Sequence, residues 1–213
     1  MKVFFFLIYI CFAFISTAAG ADVRIGDFDR GDLSGWEEKE FAGKTDYRIV
    51  YVEARKVLEA SSNDAASGMF KEIKVDLEKT PYLNWTWRVE NVFQGLNERS
   101  KEGDDYPARV YVVFSGGLLF WKTKALNYVW SSSQPLDSKW PNAFTANAKM
   151  IAIESGSDYL GKWLTYKRNI KEDYKNLFGD DVRYVDAVAI MTDTDNAHGK
   201  AKAYYGEIYF SSE

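Results

Sequence analysis

Apolar and polar residues alternate along much of this chain with the period of two that is typical of β-strands. In residues 82–89, Leu83, Trp85, Trp87 and Val89 occupy every second position, and polar residues stand between them. One face of an antiparallel sheet is normally buried, so this apolar set is expected in the core. The pattern therefore predicts a core strand over residues 82–89.

A second strongly patterned run follows a polar, acidic turn. Residues 109–114 place Val110, Val112 and Phe114 on one face, and the opposite face is also partly apolar. A strand that is covered on both faces lies away from the edge of its sheet. We therefore predict a central strand here.

Similar patterns predict further strands between turn-rich segments. They cover residues 23–25, 47–51, 56–60, 69–75, 149–154, 163–168, 184–191 and 203–210. Residues 118–130 could be one long strand or a hairpin around the polar residues 122–124. Residues 131–147, with two prolines, are predicted to be a loop.

One segment has the signals of a helix. Asn169 is a suitable N-cap, Glu172 stands three residues later, Asp173 lies in the first turn, and Gly179 follows the last turn. The sequence therefore predicts an all-β protein, an antiparallel β-sandwich of jelly-roll (galactose-binding-like) type, with one short helix near residues 170–178.

The first 21 residues are predicted to be a cleavable secretory signal. Lys2 precedes an apolar run of signal-core length, and small residues follow at Ala19 and Ala21. The alternative is an uncleaved anchor, although the run is short for a membrane span. Residues 22–213 form a single domain in this interpretation, periplasmic or secreted, with no membrane span after cleavage.

The counts of charged residues, cysteine and histidine exclude some classes of partner and site. Asp and Glu number 31 against 27 Lys and Arg, so a nucleic-acid partner is not expected. The only cysteine, Cys11, lies in the signal, so the mature domain has no disulfide. His198 is the only histidine, which excludes a site that needs several histidine ligands. No sequence feature predicts the oligomeric state.

Several segments together resemble a known family. They are residues 28–36, 83–89, 103–114, 193–196 and 204–210, of which the aspartate pair Asp104-Asp105 with its following strand is the most specific. They are similar to an uncharacterised family of exported bacterial proteins, the domain of unknown function numbered three-zero-four-seven. This resemblance implies a compartment and a single domain, and no activity.

The two ends of the chain also resemble those of jelly-roll carbohydrate-binding modules. These ends are the Phe-Asp-x-Gly-x-Leu-x-Gly-Trp opening of residues 28–36 and the Gly-Glu-Ile-Tyr-Phe strand of residues 206–210. The resemblance implies that the first and last strands pair, with a structural calcium nearby. It is a resemblance of fold, and fold does not determine function.

Candidate ligand-binding residues combine charge with flat aromatic rings. Hydrogen bonds are expected from Arg88, Asp104, Asp105 and Arg109, and stacking from Trp121 and Trp130, which flank the polar residues 122–124. Asp193, Asp195 and Asn196 could complete the pocket or hold a metal. The alternatives are aspartates that cap turns, buried ion pairs without a ligand, and aromatic rings that pack under loops.

A second acidic segment is a candidate metal site. Asp27, Asp29 and Asp32 stand among glycines and could supply oxygen ligands to a structural calcium. The alternative is that they cap turns. No cofactor is required by any sequence feature.

The function predicted from these features is an exported, non-catalytic binding domain at the bacterial cell envelope. Its ligand would be a glycan or a similar polar molecule, including a carboxylate. The first alternative is a glycan hydrolase or lyase that uses a carboxylate pair. The second is a structural envelope protein without a small ligand.

Overall fold

The computed structural model describes residues 21–213, so the predicted signal peptide, residues 1–21, lies outside this range except for its last residue. The described residues form two stacked β-sheets and one α-helix. The strands of the first sheet are β1 (Val23–Gly26), β3 (Asp46–Val52), β4 (Arg55–Asn63), β6 (Tyr82–Val89), β11 (Leu164–Asn169) and β13 (Lys200–Ser211).

The second sheet has seven strands. They are β2 (Glu37–Ala42), β5 (Ala66–Asp76), β7 (Ala108–Phe114), β8 (Lys124–Ser131), β9 (Lys139–Pro141), β10 (Ala148–Ser155) and β12 (Tyr184–Asp193). The helix α1 spans Ile170–Phe178. Within residues 21–213, no helix is long and apolar enough to span a membrane.

The strand order confirms the predicted β-sandwich. The six-stranded sheet has the order β11-β6-β13-β4-β3, and β1 pairs with β13 as expected for the first and last strands. The seven-stranded sheet has the order β2-β5-β12-β7-β8-β10-β9, which confirms the central position of β7.

One pairing departs from the antiparallel pattern, because β10 runs parallel to β8. The reason is the connection between them. It contains the short strand β9, which pairs antiparallel with β10, so the chain has already reversed once before β10 begins.

The core lies between the sheets and is rich in aromatic rings. Trp85 and Trp87 of β6 are fully buried, as their alternation predicts. The Trp85 ring lies 5.2 Å from that of Tyr128, and the Trp87 ring lies 6.2 Å from that of Trp130. These contacts join β6 to β8 across the sandwich, so β8 supplies the opposite wall of the core.

Two strands were not predicted, and one was predicted too long. All side chains of β2 are exposed, so this edge strand has no apolar alternation to detect. β9 is a three-residue strand within the predicted loop 131–147. The run predicted as residues 118–130 begins as a strand only at Lys124, and residues 115–123 form a loop that includes a 3-10 turn, Phe120–Lys122.

The predicted helix is confirmed at both ends. The Asn169 side chain accepts a hydrogen bond from the Glu172 backbone N–H at 3.3 Å. Gly179 adopts a left-handed conformation, φ 76°, and its N–H donates to the Lys175 carbonyl at 2.9 Å. A glycine ends the helix at little steric cost because it has no Cβ.

The N-cap gives a direct test of this local structure. We expect Asn169→Ala to lower the free energy of unfolding by about 1 kcal/mol, because one backbone N–H at the start of α1 loses its acceptor. Urea-induced unfolding measures this change. Asn169→Asp keeps an acceptor and should lose much less, so equal losses in the two variants would contradict the capping role.

Candidate functional site

A cavity of about 440 Å³ opens on the outer face of the seven-stranded sheet. This volume lies within the range of small-molecule sites, roughly 300–1,000 Å³. The cavity exists on this face because β7, β8 and β12 send alternate side chains outward, away from the core. Its lining includes Arg109, Tyr111, Asn127, Met191 and Asp193 from these strands.

A smaller cavity of about 200 Å³ continues along the same face. It shares Phe41, Tyr111 and Met191 with the first cavity and extends to Lys39 and Phe70. The two cavities together are called the groove below. The groove therefore crosses the sheet from its β2 edge toward the β9–β10 connection.

Two exposed aromatic rings stand at the two sides of the groove. Phe41, on the edge strand β2, is 62% exposed, and Phe144, in the β9–β10 connection, is 60% exposed. A lysine Nζ lies near each ring centroid, Lys39 at 5.4 Å from Phe41 and Lys101 at 5.5 Å from Phe144. Exposed aromatic rings at a cavity are candidate binding features, because they offer apolar faces outside the buried core.

Arg109 is the buried centre of the larger cavity. It donates through Nε to Asp193 Oδ1 at 3.0 Å and through Nη1 to Asp104 Oδ2 at 3.3 Å and the Tyr111 hydroxyl at 3.2 Å. Its Nη2 donates to Asp193 Oδ2 and to the Asp104 carbonyl. These contacts use all five N–H donors of a guanidinium. Arg109 therefore links β7 to the end of β12 and to the preceding connection, and it has no N–H donor left for a ligand.

Asp105 accepts hydrogen bonds from side-chain and backbone groups of the turn after β12. Its Oδ1 accepts from the Asn196 side chain at 3.0 Å, and its Oδ2 accepts from the Ala197 N–H at 2.5 Å. The residue is fully buried. Asp105 therefore caps the turn after β12, which was the alternative interpretation of its position in the sequence.

Four carboxyl groups surround the single guanidinium of Arg109. Burial raises the pKa of Asp193 to about 8, with Arg109 opposing the shift and Asp105 and Asp104 adding to it. Burial and the neighbouring Asp105 also raise the pKa of Asp195. Burial and the neighbouring carboxylates therefore oppose ionisation in this cluster, and Arg109 offsets part of that cost.

The structure separates three of the predicted ligand-binding residues from the groove. Arg88 lies on β6 in the other sheet, where it pairs with Glu90 at 2.6 Å and Glu53 at 2.8 Å. Trp130 is fully buried in the core, so the prediction that it stacks on a ligand is wrong. Trp121 is 58% exposed in the 115–123 loop and does not line either cavity of the groove.

The predicted calcium residues do not gather as a set. Asp27 and Asp29 meet Glu207, with oxygens within 4.8 Å of one another, whereas Asp32 accepts from the Ser34 N–H. Asp27 also pairs with Arg24 at 2.8 Å and with Arg30 at 3.4 Å. Calcium needs six to eight oxygen ligands, so carboxylates that already face two arginines fit ion pairs better than a metal.

A second carboxylate group also has its partners within the protein. Oxygens of Asp105, Asp193 and Asp195 lie within 4.8 Å of one another. Arg109 supplies the positive charge for Asp193, and backbone N–H groups bind Asp105. This arrangement stabilises the end of β12 without requiring a metal.

The groove also contains Phe41, Phe144, Asn127 and Asn142, none of which was predicted from the sequence. Asn142 donates to both carboxylate oxygens of Asp104 at 3.2 Å, and Asn127 lies buried in the cavity lining. Phe41 is the one large apolar residue of a strand that is otherwise mostly charged, which was a detectable signal. Phe144 lies in a long connection, and its proximity to β7 depends on tertiary structure alone.

Residues 34–209 match the model of a family described as protein of unknown function (DUF3047), which is the family that the motifs resemble. A search of curated proteins finds no match.

Among solved structures, the chain is similar to a family 11 carbohydrate-binding module from Clostridium thermocellum in complex with a β-1,3-1,4-mixed-linked tetrasaccharide. The TM-score is 0.45 at 12% identity, over 89% of this chain and 94% of the module. It is also similar to a cellulase derived from Cel12A of Rhodothermus marinus, with a TM-score of 0.48 at 10% identity, over 89% of this chain and 100% of that one.

A third similar structure is the xyloglucanase domain of NopAA, a type three effector from Sinorhizobium fredii, in complex with cellobiose. Its TM-score is 0.49 at 10% identity, over 84% of this chain and 94% of that domain. These similarities concern the fold.

The role of Arg109 can be tested against that of Arg88. We expect Arg109→Met to lower the free energy of unfolding by about 3–5 kcal/mol, because it leaves buried carboxylates without a counter-charge. Arg88→Met should cost about 1 kcal/mol or less, because its partners are more exposed and can be solvated. Urea-induced unfolding measures both, and equal costs would show that Arg109 is not the centre of the cluster.

The raised pKa values predict a pH dependence of stability. The ordinary pKa of an aspartate is 3.8, and that of Asp193 in the folded protein is about 8, so the folded state binds a proton that the unfolded state has released between these values. Stability should therefore fall as pH rises through this range. We expect Asp195→Asn to flatten the dependence, because it removes an acid whose own pKa is raised in the folded protein.

Thermal melts between pH 5 and pH 9 measure this effect. Asp158→Asn, at an exposed loop position, is the matched control and should keep the slope of the unmodified protein. An unchanged slope in Asp195→Asn would show that Asp195 does not contribute to the pH dependence.

Proposed function

We propose that this chain, which belongs to the DUF3047 family, is a non-catalytic domain that binds a glycan in the groove. The observation that supports it best is the pair of exposed rings, Phe41 and Phe144, at the two sides of one cavity. The apolar C–H faces of a sugar can stack on such rings. The fold has no need of these rings, because neither belongs to the buried core.

The floor of the groove supplies polar groups for hydroxyls. Asp195 and Asn196 are half-buried in the cavity lining, and Tyr111 lies half-buried between the two cavities. These groups can accept or donate hydrogen bonds, as recognition of a polar ligand requires. Asp104 and Asp193 are held in place by Arg109, so the floor is fixed before a ligand arrives.

A neutral glycan fits the groove better than a carboxylate ligand. Arg109 has no donor available, since its five N–H groups bind within the protein. The remaining charged groups in the lining of the larger cavity are Asp104, Asp193 and Asp195, which repel an anion. A carboxylate ligand therefore lacks a partner in the larger cavity, and the cation that lines the groove, Lys39, belongs to the smaller cavity.

The burial of the carboxylates favours binding without catalysis. Glycoside cleavage by a carboxylate pair requires two acidic groups that both reach the substrate. Among the described acids at this cluster, Asp104, Asp105 and Asp193 are each at most 5% exposed, and only Asp195 is half-buried. One accessible acid does not form such a pair. Binding is therefore the leading function, and hydrolysis is the alternative.

The cellular setting of this function is part of the same proposal. We place the domain, residues 22–213, in the periplasm or outside the cell, after cleavage of the signal predicted in residues 1–21. An envelope location would bring the groove to extracellular or cell-wall glycans. Mass spectrometry of the protein from an exporting host, with Asp22 expected as the first residue, tests the cleavage.

Gel retardation of the purified domain in neutral and acidic soluble polysaccharides tests the groove. We expect retardation by at least one neutral polysaccharide, and a roughly threefold to tenfold loss of affinity in Phe41→Ala and in Phe144→Ala. The matched controls are Tyr51→Ala and Tyr159→Ala, whose rings are exposed but do not line the groove. Trp121→Ala should also retain binding.

The other outcomes separate the remaining functions. Retardation that is lost only in Trp121→Ala would move the site away from the groove. Release of reducing ends from a retarding polysaccharide, abolished in Asp195→Asn, would favour the hydrolase. Absence of retardation in every polysaccharide would favour a structural envelope protein.

A further inference from the structure

The loop between β7 and β8 exposes an apolar tip. In residues 118–121 the sequence is Leu-Leu-Phe-Trp, and Leu118 is 99% exposed, Leu119 38% and Trp121 58%. A run of exposed apolar residues in a folded protein normally serves a contact, because it costs solubility and adds nothing to the core. The groove does not include this tip.

Backbone contacts hold the loop in this conformation. The Leu119 N–H donates to the Gly116 carbonyl at 3.1 Å, and the Lys122 N–H donates to the Leu119 carbonyl at 2.7 Å. A Cβ at Gly116 would collide with the Leu119 carbonyl, so only glycine fits there. These contacts hold the loop in a conformation in which Leu118 is exposed to solvent.

A basic cavity lies directly beside the apolar tip. It has a volume of about 580 Å³ and is lined by Gly116, Gly117 and Lys122 of the loop, together with residues of the neighbouring strands. Its cationic side chains are Lys74, Lys122, Lys124 and Arg183, and its acidic ones are Asp181 and Asp186.

Ion pairing leaves two of these cations uncompensated. Lys124 pairs with Asp180 at 2.7 Å, and Arg183 pairs with Asp76 at 3.0 Å. Of the acids, Asp181 pairs with Lys175, whereas Asp186 accepts only from the uncharged Ser115 N–H and keeps its negative charge. Among the described residues, Lys74 and Lys122 have no ion pair, so two unpaired positive charges outnumber the one unpaired negative charge of Asp186 and the cavity attracts an anion.

We propose that residues 115–123 dock this domain on the surface of an anionic lipid bilayer. Leu118, Leu119 and Trp121 would enter the boundary between headgroups and acyl chains, where tryptophan is favoured. The cavity behind them would receive a lipid phosphate, which Lys74 and Lys122 attract. This proposal does not depend on the function of the groove, which is a separate surface.

A second copy of the chain is a poorer occupant for the same surface. A two-fold contact would place each tip against its equivalent and bring Lys74 and Lys122 of one copy close to the same lysines of the other. Like charges repel at such a contact. A bilayer surface that carries negative charge has the opposite effect.

Vesicle co-sedimentation of the domain tests the proposal. We expect binding to vesicles that contain phosphatidylglycerol, little binding to pure phosphatidylcholine, and weakening by added salt. Leu118→Ser should reduce the partition coefficient about tenfold or more, because a buried leucine is lost from the contact. Lys74→Gln and Lys122→Gln should each reduce it about fivefold.

The controls isolate the loop. Leu136→Ser, at a leucine that is 58% exposed elsewhere, should bind as the unmodified protein does. Thermal melts of all variants show whether each is folded, and Leu118 is so exposed that its substitution should leave the melt unchanged. Binding that persists in Leu118→Ser and both lysine variants would overturn the proposal, as would absence of binding to anionic vesicles. Dimerisation in light scattering that Leu118→Ser abolishes would assign the tip to a second copy instead.

Discussion

The bidentate contact of Arg109 with Asp193 is the interaction on which the groove depends. It joins the start of β7 to the end of β12, and the same guanidinium holds Asp104 in the connection that precedes β7. Its Cζ lies 4.4 Å from the centroid of the Tyr106 ring, which extends the contact into the smaller apolar cluster. Charges buried this deeply are tolerated only when every donor and acceptor finds a partner.

The two faces of β7 are therefore stabilised in different ways. The inward side chains Val110, Val112 and Phe114 belong to the main core, where burial of their apolar surface stabilises the fold. The outward side chains Arg109 and Tyr111 form the floor of the groove and are supported by hydrogen bonds. A strand in the centre of a sheet can serve both roles because its successive side chains point in opposite directions.

The core strands and the helix were predictable from the sequence because their signals are local. Trp85 and Trp87 show the period of two, and Asn169 and Gly179 mark the helix ends. The site was only partly predictable. Asp104, Arg109 and Asp193 were predicted as charged site residues. The hydrogen bonds by which they satisfy one another depend on distances between strands that are far apart in sequence. The alternation of Leu126, Tyr128 and Trp130 was a local signal that Trp130 lies in the core, whereas the assignment of Arg88 to the other sheet required the strand order.

The position of Phe41 and Phe144 on the edge strand β2 and on the β9–β10 connection has an evolutionary consequence. Peripheral elements tolerate substitution and insertion because little of the core rests on them. Under the proposed function, ligand preference can therefore diverge among homologous proteins through changes in these two elements, while the Arg109 cluster stays unchanged beneath them. Selection for stability and selection for specificity would act on separate sets of residues in this domain.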